Sequence, residues 1–289
     1  MFYRKSSTSL LLITTLGACQ LSAQDQELAP SKTRPSVIDG SDSASPKNEK
    51  SDYFSDLGRK LFKDMAYADL RAQVLSGDWL PIQGFGCAEN TAGQADICDE
   101  LPELEACSSD GRCVMWFGNG ATQTTLRVDT FGDYTKWKAG GGEALLNVRS
   151  WNFSPASPQD KQAAACPSGK FSEFLQAFAS DARLQEAFTL PLVKVMQYSE
   201  IGGESISYPT FMKAAEYSGF RMTHAADGFH IVHRDGQADP VPTPIKIGAQ
   251  DDGAYLVSYQ YGMSEGNSYR FIQDNGCWYL AEDPDPPIA

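Results

Sequence analysis

The sequence predicts an α+β protein in two parts. A helix and a small, disulfide-stapled, mostly β unit come first, followed by an α+β domain with an antiparallel sheet. Three observations carry this prediction. Helical spacing of apolar residues occurs before residue 75 and again around 171–188, and strand-like segments punctuated by turn residues follow each stretch. The Pro-rich stretch Ser154-Pro-Ala-Ser-Pro-Gln-Asp160 separates the two runs. Six of the 7 cysteines lie beyond residue 80, an even set of the kind that pairs in an oxidising compartment.

Taken in order, residues 1–18 read as a leader. Arg4 and Lys5 give a positive start, and Leu10 to Ile13 form an apolar run far short of the roughly 20 residues needed to span a bilayer. The run closes on Leu16-Gly17-Ala18-Cys19, which resembles the lipobox of bacterial lipoproteins. That resemblance implies cleavage before Cys19, acylation of Cys19 (palmitate among the chains), and anchoring to a membrane. Gln20 in place of Asp implies the outer membrane, with the body facing the periplasm. Residues 19–51, rich in Ser, Pro, Asp and Lys, read as a flexible tether with a reach of about 30 Å.

The first folded part is expected over 52–153. Phe54, Leu57, Leu61, Phe62, Met65, Leu70 and Val74 predict one amphipathic helix from Asp52 to Leu75, stopped by Gly77. Cys113–Phe117, Thr124–Asp129 and Ala144–Phe153 read as strands, with a turn at Gly140-Gly141-Gly142. Cys87, Cys98, Cys107 and Cys113 crowd together and are expected to pair locally, leaving Cys166 and Cys277 to staple the second part.

The second part is expected over 160–289. Phe171, Phe174, Leu175 and Phe178 fall on one helical face, and Ser180 is placed to cap a second short helix. Strands are expected at Leu192–Tyr198, Phe220–Thr223, Phe229–His233, Pro244–Gly248, Tyr255–Tyr261, Ser268–Gln273 and Trp278–Ala281. Asp274-Asn275-Gly276 marks a tight hairpin between the last two.

Charge narrows the choice of partners. The formal charge of −13 becomes about −15 once Arg4 and Lys5 leave, which disfavours nucleic acid and suits a basic protein partner. No cofactor is expected, because Gly140–Gly142 lacks the dinucleotide-binding spacing and Lys138 opens no phosphate loop. No metal is expected either, since the cysteines form no CxxC pair and the histidines lie far from them in sequence. There is no nucleophile elbow and no calcium-loop pattern. Interior-facing candidates for a ligand pocket are His230, Tyr259, Tyr261 and Trp278. A satisfied histidine and an aromatic core are the plainer reading of the same four.

The spacing Phe171-x-x-Phe174-x-x-x-Phe178-x-x-Asp181-x-x-x-Gln185, with Leu190-Pro191-Leu192 and the closing Tyr269-Arg-Phe and Cys277-Trp-Tyr-Leu280, resembles a family of uncharacterised bacterial lipoproteins. In that family the C-terminal part is an NTF2-like (cystatin-like) cone. The resemblance implies that fold and no particular chemistry. The resulting expectation is a non-enzymatic, outer-membrane-anchored protein-binding module, such as an immunity or inhibitor protein against a basic toxin acting in the periplasm. The alternative expectation is an NTF2-like domain that binds or hydrolyses a small molecule or an envelope fragment.

Overall fold

A computed structural model describes residues 56–84, 86–139, 146–156, 164–201, 204–261 and 265–284. Cys19, the tether and the Gly140–Gly142 turn lie outside them. No helix among the described residues is long and apolar enough to cross a membrane.

The chain is mixed α+β, with mostly antiparallel sheets and few helices. Residues 56–60 are helical, and helix α1 spans Tyr67–Leu75. The single helix expected over Asp52–Leu75 is therefore interrupted. Backbone pairing with a later strand wins over helical continuity at the break. The Asp64 N–H donates to Val148 O at 2.8 Å, the Val148 N–H donates to Met65 O at 3.0 Å, and Asp64 takes a φ of 67°.

The first sheet contains β1 (Trp79–Pro81), β2 (Leu104–Cys107), β3 (Arg112–Asn119), β4 (Thr124–Gly132) and β5 (Leu146–Pro155). β3, β4 and β5 form an antiparallel run, while β1 and β2 share the outer edge of β3, one at each end. Period-2 alternation sends Cys113, Met115 and Phe117 of β3 inward with Leu126 and Val128 of β4. They meet Leu70 and Val74 of α1 to make the first core. A short helix α2 (Ile97–Glu100) sits in the loop between β1 and β2. Within this core Glu103 is fully buried, accepting from Tyr67 Oη at 2.7 Å and Arg71 Nε at 2.5 Å. A buried carboxylate needs such partners, because an unpaired one would cost several kcal/mol, about 3–5 when a single partner is removed.

Helices α3 (Phe171–Ser180) and α4 (Ala182–Ala187) open the second half. The cap of α4 is Asp181, whose carboxylate accepts from the Arg183 N–H at 2.8 Å. Ser180, the expected cap, instead donates back to Gln176 O. A six-stranded sheet follows: β6 (Thr189–Ile201), β7 (Glu204–Lys213), β10 (Ile245–Ala249), β11 (Tyr255–Tyr261), β12 (Glu265–Asp274) and β13 (Cys277–Asp283). A separate hairpin holds β8 (Met222–Ala225) and β9 (Gly228–Ile231). The spatial order is β10-β11-β12-β13-β6-β7, antiparallel except where β13 runs parallel to β6. The wholly antiparallel sheet expected from sequence is thus corrected at one junction, because the last strand returns beside the first.

The β12–β13 turn is the expected one, with Asn275 and Gly276 both at positive φ, 48° and 79°. β7 was not foreseen. Pro209 interrupts its pattern, but β7 is an edge strand, where a missing N–H is tolerated.

The two halves meet over a small third cluster of Ile82, Leu192 and Phe211. Ile82 bridges to Phe211 in parallel register, and the Gln83 N–H donates to Phe211 O at 2.9 Å. Gly118 and Gly120 permit this approach, since a Cβ on Gly118 would lie 2.8 Å from Leu192 Cδ1 and one on Gly120 would lie 2.7 Å from Phe211 Cζ.

Candidate functional site

The structure pairs Cys87 with Cys98, Cys107 with Cys113, and Cys166 with Cys277. Tyr259 and Trp278 are buried on the face of the six-stranded sheet where α3 packs. Trp278 stands edge-on to Phe171 and Tyr255, with centroids at 5.2 and 5.1 Å, and its indole N–H donates to Gly169 O at 3.1 Å. Tyr259 packs on Tyr269 at 6.4 Å. The side chain of Tyr261 lies outside the described residues.

His230 sits on β9 with both ring nitrogens against acceptors, Nδ1 2.8 Å from Asp239 O and Nε2 2.9 Å from Asp227 Oδ1. Two acceptors call for two N–H donors, so the geometry selects the imidazolium. The hydrogen bond from Asp227, then the Asp239 carbonyl, raises its pKa above the ordinary histidine value, and the same bond lowers that of Asp227. A ring held this way has no free lone pair for a general base. His233 is tied to Asp239 Oδ1 at 2.7 Å. Among the described residues, no group of three or more His, Cys, Asp or Glu could hold a metal ion.

The helix-facing side of β11, β12 and β13 is filled. Phe171 stacks on Tyr255 at 4.3 Å, while Phe174, Phe178 and Phe220 interlock around Phe271. Room remains beside it, over β6. A pocket of about 400 Å³ there is lined by Val195, Gln197, Met212, Tyr217, Arg221, Asn267 and Asp283, among others. Tyr217 Oη donates to Asp283 Oδ2 at 2.8 Å, and burial followed by the Asp283 charge pushes the phenol pKa far up. Tyr269 Oη donates to Gly219 O at 3.0 Å and accepts from the Arg221 backbone N–H at 2.9 Å.

A second cleft, about 440 Å³, lies where the halves meet. Leu80, Leu192, Phe211 and Ile272 line its apolar part. Its charged part is a chain of ion pairs. Lys194 lies 3.6 Å from Glu282, Glu282 lies 3.0 Å from Arg270, and Arg270 also reaches Asp252. Every cation in that chain already has a carboxylate. His230, Tyr259 and Trp278 line neither cavity.

The surface carries a signal that residue-type motifs miss. Between Arg71 and Arg112 the chain holds 8 Asp and Glu and no Lys, Arg or His. Glu89 and Asp96 of this stretch are exposed on the loop closed by the Cys87–Cys98 bond, and Asp99 is exposed in α2 just after it. That loop is pinned from below by buried Thr91 and Ile97, and Tyr134 Oη donates to Thr91 O at 3.2 Å. A scan for uninterrupted runs of one charge sign would have found it.

No protein-family model matches the chain. No curated protein matches it either. A solved structure that it resembles is that of an NTF2-like protein from Bacteroides fragilis NCTC 9343, at 12% identity, covering 74% of this chain and 76% of that one, with a TM-score of 0.28. A score of that size carries no argument about fold or function.

Proposed function

We propose that the protein is a non-enzymatic binding module, an outer-membrane lipoprotein acylated at Cys19 that presents a rigid acidic surface to a basic protein in the periplasm. An immunity or inhibitor role against a toxin or wall hydrolase fits this reading. The observation that carries it is the acidic loop of residues 86–100, closed by Cys87–Cys98 and pinned on buried Thr91 and Ile97. A preorganised loop loses little conformational entropy on binding, and its charge speeds encounter with a basic partner. The aromatic-filled space between α3 and the sheet supports recognition by surface rather than by an internal chamber. We further propose that residues 160–289 form an NTF2-like cone, a reading supported by two leading helices whose apolar residues pack in one cluster with the six-stranded sheet.

The test is capture from periplasmic extract of the producing cell, using the chain from residue 48 onward as bait beside a Glu89→Lys, Asp96→Lys, Asp99→Lys variant. The reading expects a basic protein that is enriched by the first bait, released by salt and lost from the second. It also expects that cells lacking this chain become sensitive to that protein. Equal capture by both baits, or no change in sensitivity, sinks the proposal.

A further inference from the structure

The pocket over β6 contains a cation that forms no ion pair among the described residues. Arg221 is half-buried, and its backbone is fixed at both ends: its N–H donates to Tyr269 Oη at 2.9 Å, and its carbonyl accepts from the Val232 N–H at 2.9 Å. Its side chain lines the pocket, yet no carboxylate among the described residues lies within ion-pair distance of the guanidinium. Three other polar residues of the wall are engaged already. Tyr217 donates to Asp283, Asn267 Nδ2 donates to Tyr269 Oη at 3.3 Å, and Gln197 Nε2 donates to Gln83 Oε1 at 2.8 Å. Arginine is the side chain suited to a planar two-oxygen anion, and it loses little by waiting in a fixed position. Beside it stand Val195, Met196 and Met212, an apolar and adaptable wall.

We propose that this pocket binds a small monocarboxylate with an apolar tail, its carboxylate on Arg221 and its tail against Met212 and Val195. Glu216 and Asp283 line the same pocket, so a multiply charged anion meets repulsion there. The volume of about 400 Å³ is within the range of small-molecule sites. This site is independent of the acidic loop, and either proposal can fail without the other.

Hexanoate is the probe, with hexan-1-ol and inorganic phosphate as controls, read by NMR at the Arg221 Nε–Hε resonance. Hexanoate is expected to shift that resonance saturably, with a dissociation constant of about a millimolar or tighter. The controls should leave it unmoved. Arg221→Gln keeps the backbone bond to Tyr269 and should weaken hexanoate binding roughly tenfold or more, read at the Met212 methyl. Arg221→Lys, which retains charge without the fork, should fall between. No saturable shift, equal binding to Arg221→Gln, or phosphate binding as tightly as hexanoate overturns the proposal.

Discussion

At the scale of single residues, His230 gives the clearest case of a side chain whose role is set by its neighbours. Its two acceptors, Asp227 Oδ1 and Asp239 O, come from the turns on either side of β9, and they hold the ring as a cation that ties those turns together. The sign of the pH dependence follows. The folded-state pKa is raised above the value near 6.5 of a free imidazole, so this contribution to stability is fully present below about pH 6 and is lost as pH rises through the folded pKa. Asp227 works oppositely. Its lowered pKa gives stability that is present above the ordinary carboxylate range and lost as pH falls through the folded value. NMR titration should show the His230 ring protons moving at a higher pH than a free histidine, and the Tm of wild type minus that of His230→Asn should shrink from pH 6 towards pH 8. A His230 titration at or below the free value would refute the imidazolium assignment. The sequence marked His230 as a residue to watch, but Asp239 reaches it only because residues 235–239 fold back, which spacing does not disclose. Arg221 has no signal of its own for a related reason: nothing in a sequence says whether an arginine has a carboxylate beside it.

At the scale of elements, the disulfides rank themselves by the loops they close, with separations of 111, 11 and 6 residues. Loop-closure entropy assigns about 4.8, 2.8 and 2.2 kcal/mol to them in that order. Replacing each pair by alanines should therefore lower the denaturation midpoint most for Cys166–Cys277 and least for Cys107–Cys113. Urea unfolding of the three double variants measures this, and a reversed order would show that native packing around Cys87 or Cys113 outweighs the entropy of the unfolded chain. Elements with their own strong signal were legible from sequence. α3 follows its Phe171–Phe178 stripe, β11 begins and ends at Tyr255 and Tyr261 as expected, and the Asn275-Gly276 turn behaves as its residues require. Elements decided by distant partners were not. The break after residue 60 depends on Val148, more than 80 positions away, and β7 depends on being an edge, where Pro209 does no harm. Propensity alone could not weigh either contact.

At the scale of the whole molecule, the two large cores are self-contained and the joint between them is small. Leu57 through Val148 build one core, Phe171 through Leu280 the other, and only Ile82, Leu192 and Phe211 are buried in the cluster that links them. Free energy of opening scales with the surface exposed, so the joint should open before either core melts. Phe211→Ala sharpens this, removing a ring that is 5% exposed at a cost of about 3 kcal/mol. Gly118→Ala tests the same place by a different route, because its Cβ would press on Leu192 Cδ1 and on Phe211 Cδ2, 2.9 Å away. Hydrogen exchange reports the outcome at two amides that cross the joint, Gln83 to Phe211 O and Leu192 to Gln123 Oε1, each 2.9 Å. Both variants should speed exchange there while the amides of Val128 and Phe271, deep in the separate cores, keep nearly wild-type protection. If all four accelerate together, the cores unfold as one cooperative unit and the joint transmits stability between them despite its size. If only the crossing amides respond, the cleft beside the joint, lined by Leu80, Leu192 and Phe211, is the place where the molecule can change shape without unfolding.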